Sequence, residues 1–166
     1  MHQSCSCFYV SEQGLSVLFD LYVAFQLTAQ LLDRELAGAK VPVEDFAIYS
    51  ALVHYERATP TQLAQHLGMP LSTLLFRFGK IESRGHGVRE KNPRDGRSWL
   101  LRLSARGRRA YDLTRPRFTE VLLSVYHHLR LPGDAVHDAV ADLAGAVAAA
   151  LVEARDRELI SKTRAS

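Results

Sequence analysis

Cysteine is almost missing from this chain. Cys5 and Cys7, one residue apart near the N-terminal end, are the two in 166 residues. So placed they cannot staple a fold, and the expectation is a reduced, cytoplasmic protein. No apolar run approaches the ~20 residues that a membrane span needs. Met1 to Val10 shows no basic stretch leading into an apolar one, so no signal peptide is expected either. The signatures of common catalytic sites are absent: no His-Glu-x-x-His, no paired Cys-x-x-Cys, no Gly-x-Ser-x-Gly and no phosphate loop. Histidine occurs seven times but without ligand spacing, and His127 and His128, being adjacent, point apart on a helix. The expectation is a non-enzyme with no catalytic residue, metal or cofactor.

What is present is enough apolar material for one real core. Hydrophobic residues make up 47 % of the chain and charged residues 23 %, ordinary for a single globular domain. The net charge of +3 hides a strong asymmetry. Arg77 to Arg117 holds thirteen Lys and Arg against four Asp and Glu, a balance of +9; the remainder holds eight against fourteen, −6. One basic segment in an acidic chain points to a localised polyanion site, or to a solvated basic face.

The periodicity is mainly helical. From about Ser11 to Leu36, Leu15, Leu18, Tyr22, Phe25, Ala29, Leu32 and Leu36 recur at spacings of three and four, one stripe along a long helix stopped near Gly38. Pro42 opens a second helix with Phe46, Tyr49, Leu52 and Val53 on its inner face. Thr59-Pro60-Thr61-Gln62 reads as a capping box for a short helix ending at Gly68. Pro70 opens another, with Leu71, Leu74, Phe78 and Ile81 inward, ending near Arg84-Gly85. Short helix, tight turn and second helix make a helix-turn-helix. Val88 to Lys91 and Ser98 to Leu103 then read as strands, the second with Trp99, Leu101 and Leu103 on one side, joined by the turn formers Asn92 to Gly96. Ser104 caps a long helix that Pro116 should kink or break, and after Leu131 to Asp134 a final helix runs to the charged stretch ending at Glu158, with a frayed tail from Ser161.

Thr61-Gln62-Leu63-Ala64-Gln65-His66-Leu67-Gly68, Ser72-Thr73-Leu74, Glu82-Ser83-Arg84-Gly85 and, most specifically, Asn92-Pro93-Arg94-Asp95-Gly96-Arg97 followed by Leu101-Arg102-Leu103-Ser104-Ala105-Arg106-Gly107 carry a resemblance. The chain resembles the MarR family of bacterial winged helix-turn-helix transcription regulators over about Leu15 to Leu151. It departs from the family pattern at Gly96, where an arginine is common, at His86, where an apolar residue usually follows the glycine, and at Ser104 in place of Thr. The resemblance implies a mainly α fold with a small β-hairpin wing. Residues 11–40 and 105–160 would form a helical dimerisation region, 41–104 a winged helix-turn-helix DNA-binding lobe, and 1–10 and 161–166 flexible termini. It also implies a homodimer that binds double-stranded DNA at a near-palindromic operator, acts as a repressor, is released by a small aromatic ligand and does not engage a membrane.

On that reading the DNA-binding residues are expected along the second helix of the motif and the wing. Ser72 and Thr73 sit at the helix N-terminus, where anions are favoured. Arg77 is the candidate for guanine readout, Lys80 lies on the outer arc, and Leu75 and Phe76 can touch thymine methyls, unless Phe76 packs under the wing. Arg94 and Arg97 are the minor-groove or phosphate residues. Asp95 either orients Arg97 through a bidentate pair or makes the turn with Gly96. Arg89 and Lys91 add phosphate contacts. Tyr22, Phe25, Phe46, Tyr49 and His54 are a candidate ligand pocket, or ordinary core aromatics. Two alternatives stand beside this one: a thiol- or metal-responsive sensor of the same fold using Cys5 and Cys7, and a winged helix used only for protein contacts.

Overall fold

A computed structural model describes the backbone of residues 16–164 and the side chains of 16–158. Its elements are α1 (Val17–Glu35), α2 (Val43–Tyr55), α3 (Pro60–His66), α4 (Leu71–Ser83), β1 (Gly87–Asn92), β2 (Asp95–Leu103), α5 (Ala105–His127) and α6 (Gly133–Arg164). The expected start of the first helix at Ser11, and Cys5 and Cys7, lie outside the described residues.

Local chemistry sets most of the boundaries. The α3 helix is too short to hold itself. It is fixed at its start by the expected capping box: Thr59 Oγ1 accepts from Gln62 N at 3.2 Å, and Gln62 Oε1 accepts from Thr59 N at 3.0 Å. Gly68, at φ +60°, takes the left-handed conformation that lets the chain leave α3 and enter α4 within a few residues. Ser104 caps α5 by accepting from Gly107 N at 3.0 Å.

The core lies inside the helix-turn-helix lobe. Ile48, Tyr49 and Leu52 of α2, Leu63 of α3, Leu74, Phe78 and Ile81 of α4 and Leu101 of β2 are buried together. The strands pair antiparallel, and Ala58 in the loop after α2 adds a bridge to Leu101, with bonds of 2.8 and 3.1 Å in both directions. On the other side of α2, Phe46 stacks on Tyr111 and Phe118 of α5, with ring centroids 5.3 and 4.3 Å away. Buried Thr114 of α5 accepts from Val41 N at 3.3 Å, and Arg117 donates to the carbonyls of Glu35 and Ala37, closing the end of α1. The lobe is thus bolted to α5. By contrast α1 has no buried residue.

Several expectations are corrected. The hairpin is longer and its turn tighter than Asn92 to Gly96: Asn92 pairs with Asp95, leaving Pro93 and Arg94 at the tip. Of the alternating residues on β2, Leu101 is buried and Leu103 half-buried, but Trp99 is exposed because the hairpin has left the core by then. Leu71 is also exposed; it faces a cleft of about 500 Å³ between the α3–α4 turn and Ala148, Leu151 and Val152 of α6. Pro116 does not break α5. It lies on an exposed face with Asp112, whose carbonyl loses its helical partner to water at little cost. Residues 161–164 continue α6. One stretch, Gly133–Glu158, is long and apolar enough to cross a membrane by length and composition, with an 18-residue window in it reaching a mean hydropathy of 1.6. A search for unbroken runs misses it because Asp134, His137, Asp138 and Asp142 interrupt the alanines and valines.

Candidate nucleic-acid interface

The α4 helix turns Leu74, Phe78 and Ile81 into the core, which fixes what its outer surface shows. At about 100° per residue, Phe76 stands opposite that buried stripe, with Ser72, Thr73 and Lys80 around it. All four are exposed. Phe76 does not pack under the wing: it is 66 % exposed, and the Lys80 ammonium lies 4.5 Å over its ring. Leu75 sits on one flank, half-buried.

Arg77 sits on the other flank and does not project outward. Its guanidinium turns back to α2, donating to the Glu44 carbonyl at 2.9 Å and facing Asp45 Oδ1 at 3.5 Å. Asp45 is buried, and its other carboxylate oxygen accepts from Arg84 at 2.6 Å. Removing a carboxylate from water demands such partners, so these two arginines serve the fold first. The network extends inward. Burial pushes the Tyr49 phenol up, offset in part by Arg84. The Tyr49 hydroxyl lies 2.8 Å from Nδ1 of buried His86, and desolvation, aided by Arg106 and Arg84, holds His86 below the usual histidine range. The Asp45 hydrogen bond raises Arg84 further above its ordinary value. His86, a departure from the family pattern, is therefore a core residue, biased by burial toward its neutral form, that joins α2 to the root of the wing.

The wing tip is pre-shaped by short polar side chains. Asn92 Oδ1 accepts from Arg94 N at 3.0 Å, Asn92 Nδ2 donates to Ser98 Oγ at 2.8 Å, and Ser98 Oγ donates to the Asp95 carbonyl at 3.1 Å. Asp95 accepts from the backbone N of Arg97 at 3.1 Å. It makes the turn and forms no bidentate pair with the Arg97 guanidinium. The side chains of Arg94, Arg97 and Lys91 are exposed. Arg89 is engaged: it donates to Glu82 at 2.8 Å and lies over the Phe78 ring.

One basic residue escaped sequence reasoning. Arg57 follows Glu56, a non-glycine residue at φ +59° where the chain turns sharply out of α2. Arg57 and Arg94, with Thr59, Gln62 and Asn92, line a cleft of about 450 Å³ between the start of α3 and the wing tip. Arg57 lies outside the basic segment, so only the fold brings it there.

The five aromatic and histidine residues offered as a ligand pocket do not converge. Tyr22 and Phe25 are exposed on α1, Phe46 is in the stack with α5, Tyr49 is in the core, and His54 packs edge-on against Tyr55. Among the described residues, no three of His, Cys, Asp and Glu gather as a metal site would require.

No protein-family model matches the sequence, and no curated protein matches it. Solved structures do match. The transcriptional regulator MOSR of M. tuberculosis, in complex with DNA, superposes with a TM-score of 0.73 at 20 % identity, over 82 % of this chain and 98 % of that one. BpsR of Bordetella bronchiseptica, whose DNA binding is regulated by 6-hydroxynicotinic acid, gives 0.69 at 18 %, over 86 % and 97 %. The reduced form of MarR from E. coli gives 0.65 at 18 %, over 80 % and 98 %. The fold is therefore that of the MarR-type winged-helix regulators.

Proposed function

We propose that this chain is a MarR-type transcription regulator, not an enzyme, and that it binds a near-palindromic operator as a homodimer and represses. The observation that carries the reading is a coincidence of charge and shape. The basic segment begins within α4, covers the hairpin and runs on into α5; from Arg77 to Leu103 it holds eight Lys and Arg against three Asp and Glu, and there Arg94, Arg97 and Lys91 extend into solvent beside the exposed arc of α4. A helix of this kind fits the major groove, and a basic wing reaches the adjacent minor groove or phosphates. Arg57 with Arg94 adds a basic cleft beside the wing tip, suited to a phosphate. Residues 41–104 are the DNA-binding lobe in this proposal, and 11–40 with 105–160 the dimerisation region. The likeness to BpsR supports a response to a small ligand; of the five candidate residues, Tyr22 and Phe25 remain open to one, or to a second protomer.

Fluorescence anisotropy tests this with a duplex recovered by selection from a randomised pool, a scrambled duplex and a salt series. Selective binding that falls steeply with salt, by about 0.9 log units per log unit of salt for each phosphate neutralised, is expected. Arg97→Ala should weaken binding to both duplexes and reduce that slope by about one for each wing. No binding to either duplex at low salt would overturn the proposal.

A further inference from the structure

We infer that Phe76 is a base-reading residue of α4 and that it reads the 5-methyl group of a thymine. The inference rests on the major-groove placement of α4 proposed above. Direct readout of guanine calls for a bidentate donor, which in practice is an arginine or an extended lysine. The arginine of this helix, Arg77, is held against Glu44 and Asp45 on the far flank. No Asn or Gln lies on the helix, so bidentate readout of adenine is absent as well. What the outer arc presents is Ser72, Thr73, Phe76 and Lys80.

Among these Phe76 is the largest feature. Its ring is 66 % exposed on the face opposite the buried stripe, so it is free to meet a partner in the groove. Its own helix leaves room around it: a Cβ built on Gly79 would meet nothing within 4 Å. Lys80 steadies one ring face from 4.5 Å and keeps its charge free for phosphate or a purine acceptor. A phenyl ring neither donates nor accepts. Pressed on a G·C edge it would strip water from the N7, O6 and N4 groups and leave them unpaired, which costs affinity. The thymine methyl is the one apolar group in the major groove, and covering it loses nothing.

Replacing thymine by deoxyuridine removes that methyl and leaves base pairing intact. On the selected duplex, each half-site thymine is replaced in turn, and affinity is measured for the full-length protein and for Phe76→Ala and Phe76→Leu. Because Phe76 is exposed, these variants should fold, which thermal unfolding checks. One thymine per half-site should show about a fourfold loss on replacement, and about fifteenfold when both half-sites are changed. In Phe76→Ala the loss should vanish at that position; in Phe76→Leu it should be partly kept. Selective binding without a methyl effect at any thymine, or an equal effect in Phe76→Ala, overturns the assignment of Phe76 and leaves the regulator reading standing. A selected duplex with no thymine in its half-sites does the same. The absence of any selective binding overturns both.

Discussion

Asp45 carries more of this structure than its single charge suggests. It is buried, and the two arginines that neutralise it come from the middle and the end of α4. Asp45→Ala leaves both without a counter-charge, but each is about a third exposed and can turn to water, so the cost should fall short of a fully buried pair. About 2 kcal/mol is expected in urea unfolding. Arg77→Ala should cost less and leave base preference unchanged in the selection assay, whereas a relaxed preference would restore Arg77 to the groove. His86 makes a pH prediction. Its folded pKa lies below the ~6.5 of an unfolded-chain histidine, so the unfolded chain takes up the proton first as pH falls. The stability due to the neutral form is present above about pH 6.5 and is lost as pH drops towards the folded value. His86→Gln, which keeps an acceptor for the Tyr49 hydroxyl, should flatten that dependence in urea midpoints measured on either side. An unchanged slope would show that the titration lies elsewhere. None of this network was legible in the sequence. Asp45 precedes its partners by more than thirty residues, as their separations of 32 and 39 show, and periodicity carries no information about such pairs. On a helical wheel Arg77 lies about 60° from Leu74, close enough to the core edge to fold back.

Elements were easier to read, because caps and turns depend on neighbours in sequence. Thr59, Gln62, Gly68, Gly85 and Ser104 all sit where local chemistry requires them, and Thr59→Ala should cost about 1 kcal/mol of stability, read from the same unfolding curves. The limits of local reading appear where elements meet. The glycine of the Ser104-Ala105-Arg106-Gly107 close reads as part of a family pattern, but its reason is tertiary. A Cβ on Gly107 would lie 2.2 Å from the backbone carbonyl oxygen of His86. That carbonyl also accepts from Ser104 N at 2.8 Å, and Ser104 Oγ donates to the Gly85 carbonyl at 2.7 Å. The start of α5 is thus pressed on the root of the wing, with backbone on both sides and nothing flexible to yield. Gly107→Ala should destabilise by about 3 kcal/mol and loosen the wing, so DNA affinity should fall even where the protein remains folded. A thermal midpoint equal to that of the parent would mean that the two backbones separate freely.

At the scale of the whole molecule the chain is lopsided. The lobe has a dense core, while α1 buries nothing and holds Leu18 at 58 % and Phe25 at 66 % exposure. The α6 helix leaves Val140, Leu151 and Val152 open. Apolar surface on this scale needs a cover. By length and composition lipid is a candidate for α6, but it does not suit α1, whose apolar residues alternate with Asp20, Gln26 and Gln30 along a face-selective pattern. In the proposed reading a second copy would cover both helices at once and would set two α4 helices side by side, as two half-sites about one turn apart require. The expectation is a dimer of the 18.6 kDa chain at micromolar concentration without detergent, read by sedimentation equilibrium. Leu18→Glu combined with Phe25→Glu should give monomers that keep the lobe's unfolding transition, because neither residue touches its core. Losing the tether between half-sites should then lower operator affinity by about a hundredfold or more, with single half-site affinity unchanged. A parent chain that sediments as a monomer, or floats with vesicles and needs detergent to stay dispersed, would show that something other than a second copy covers these helices.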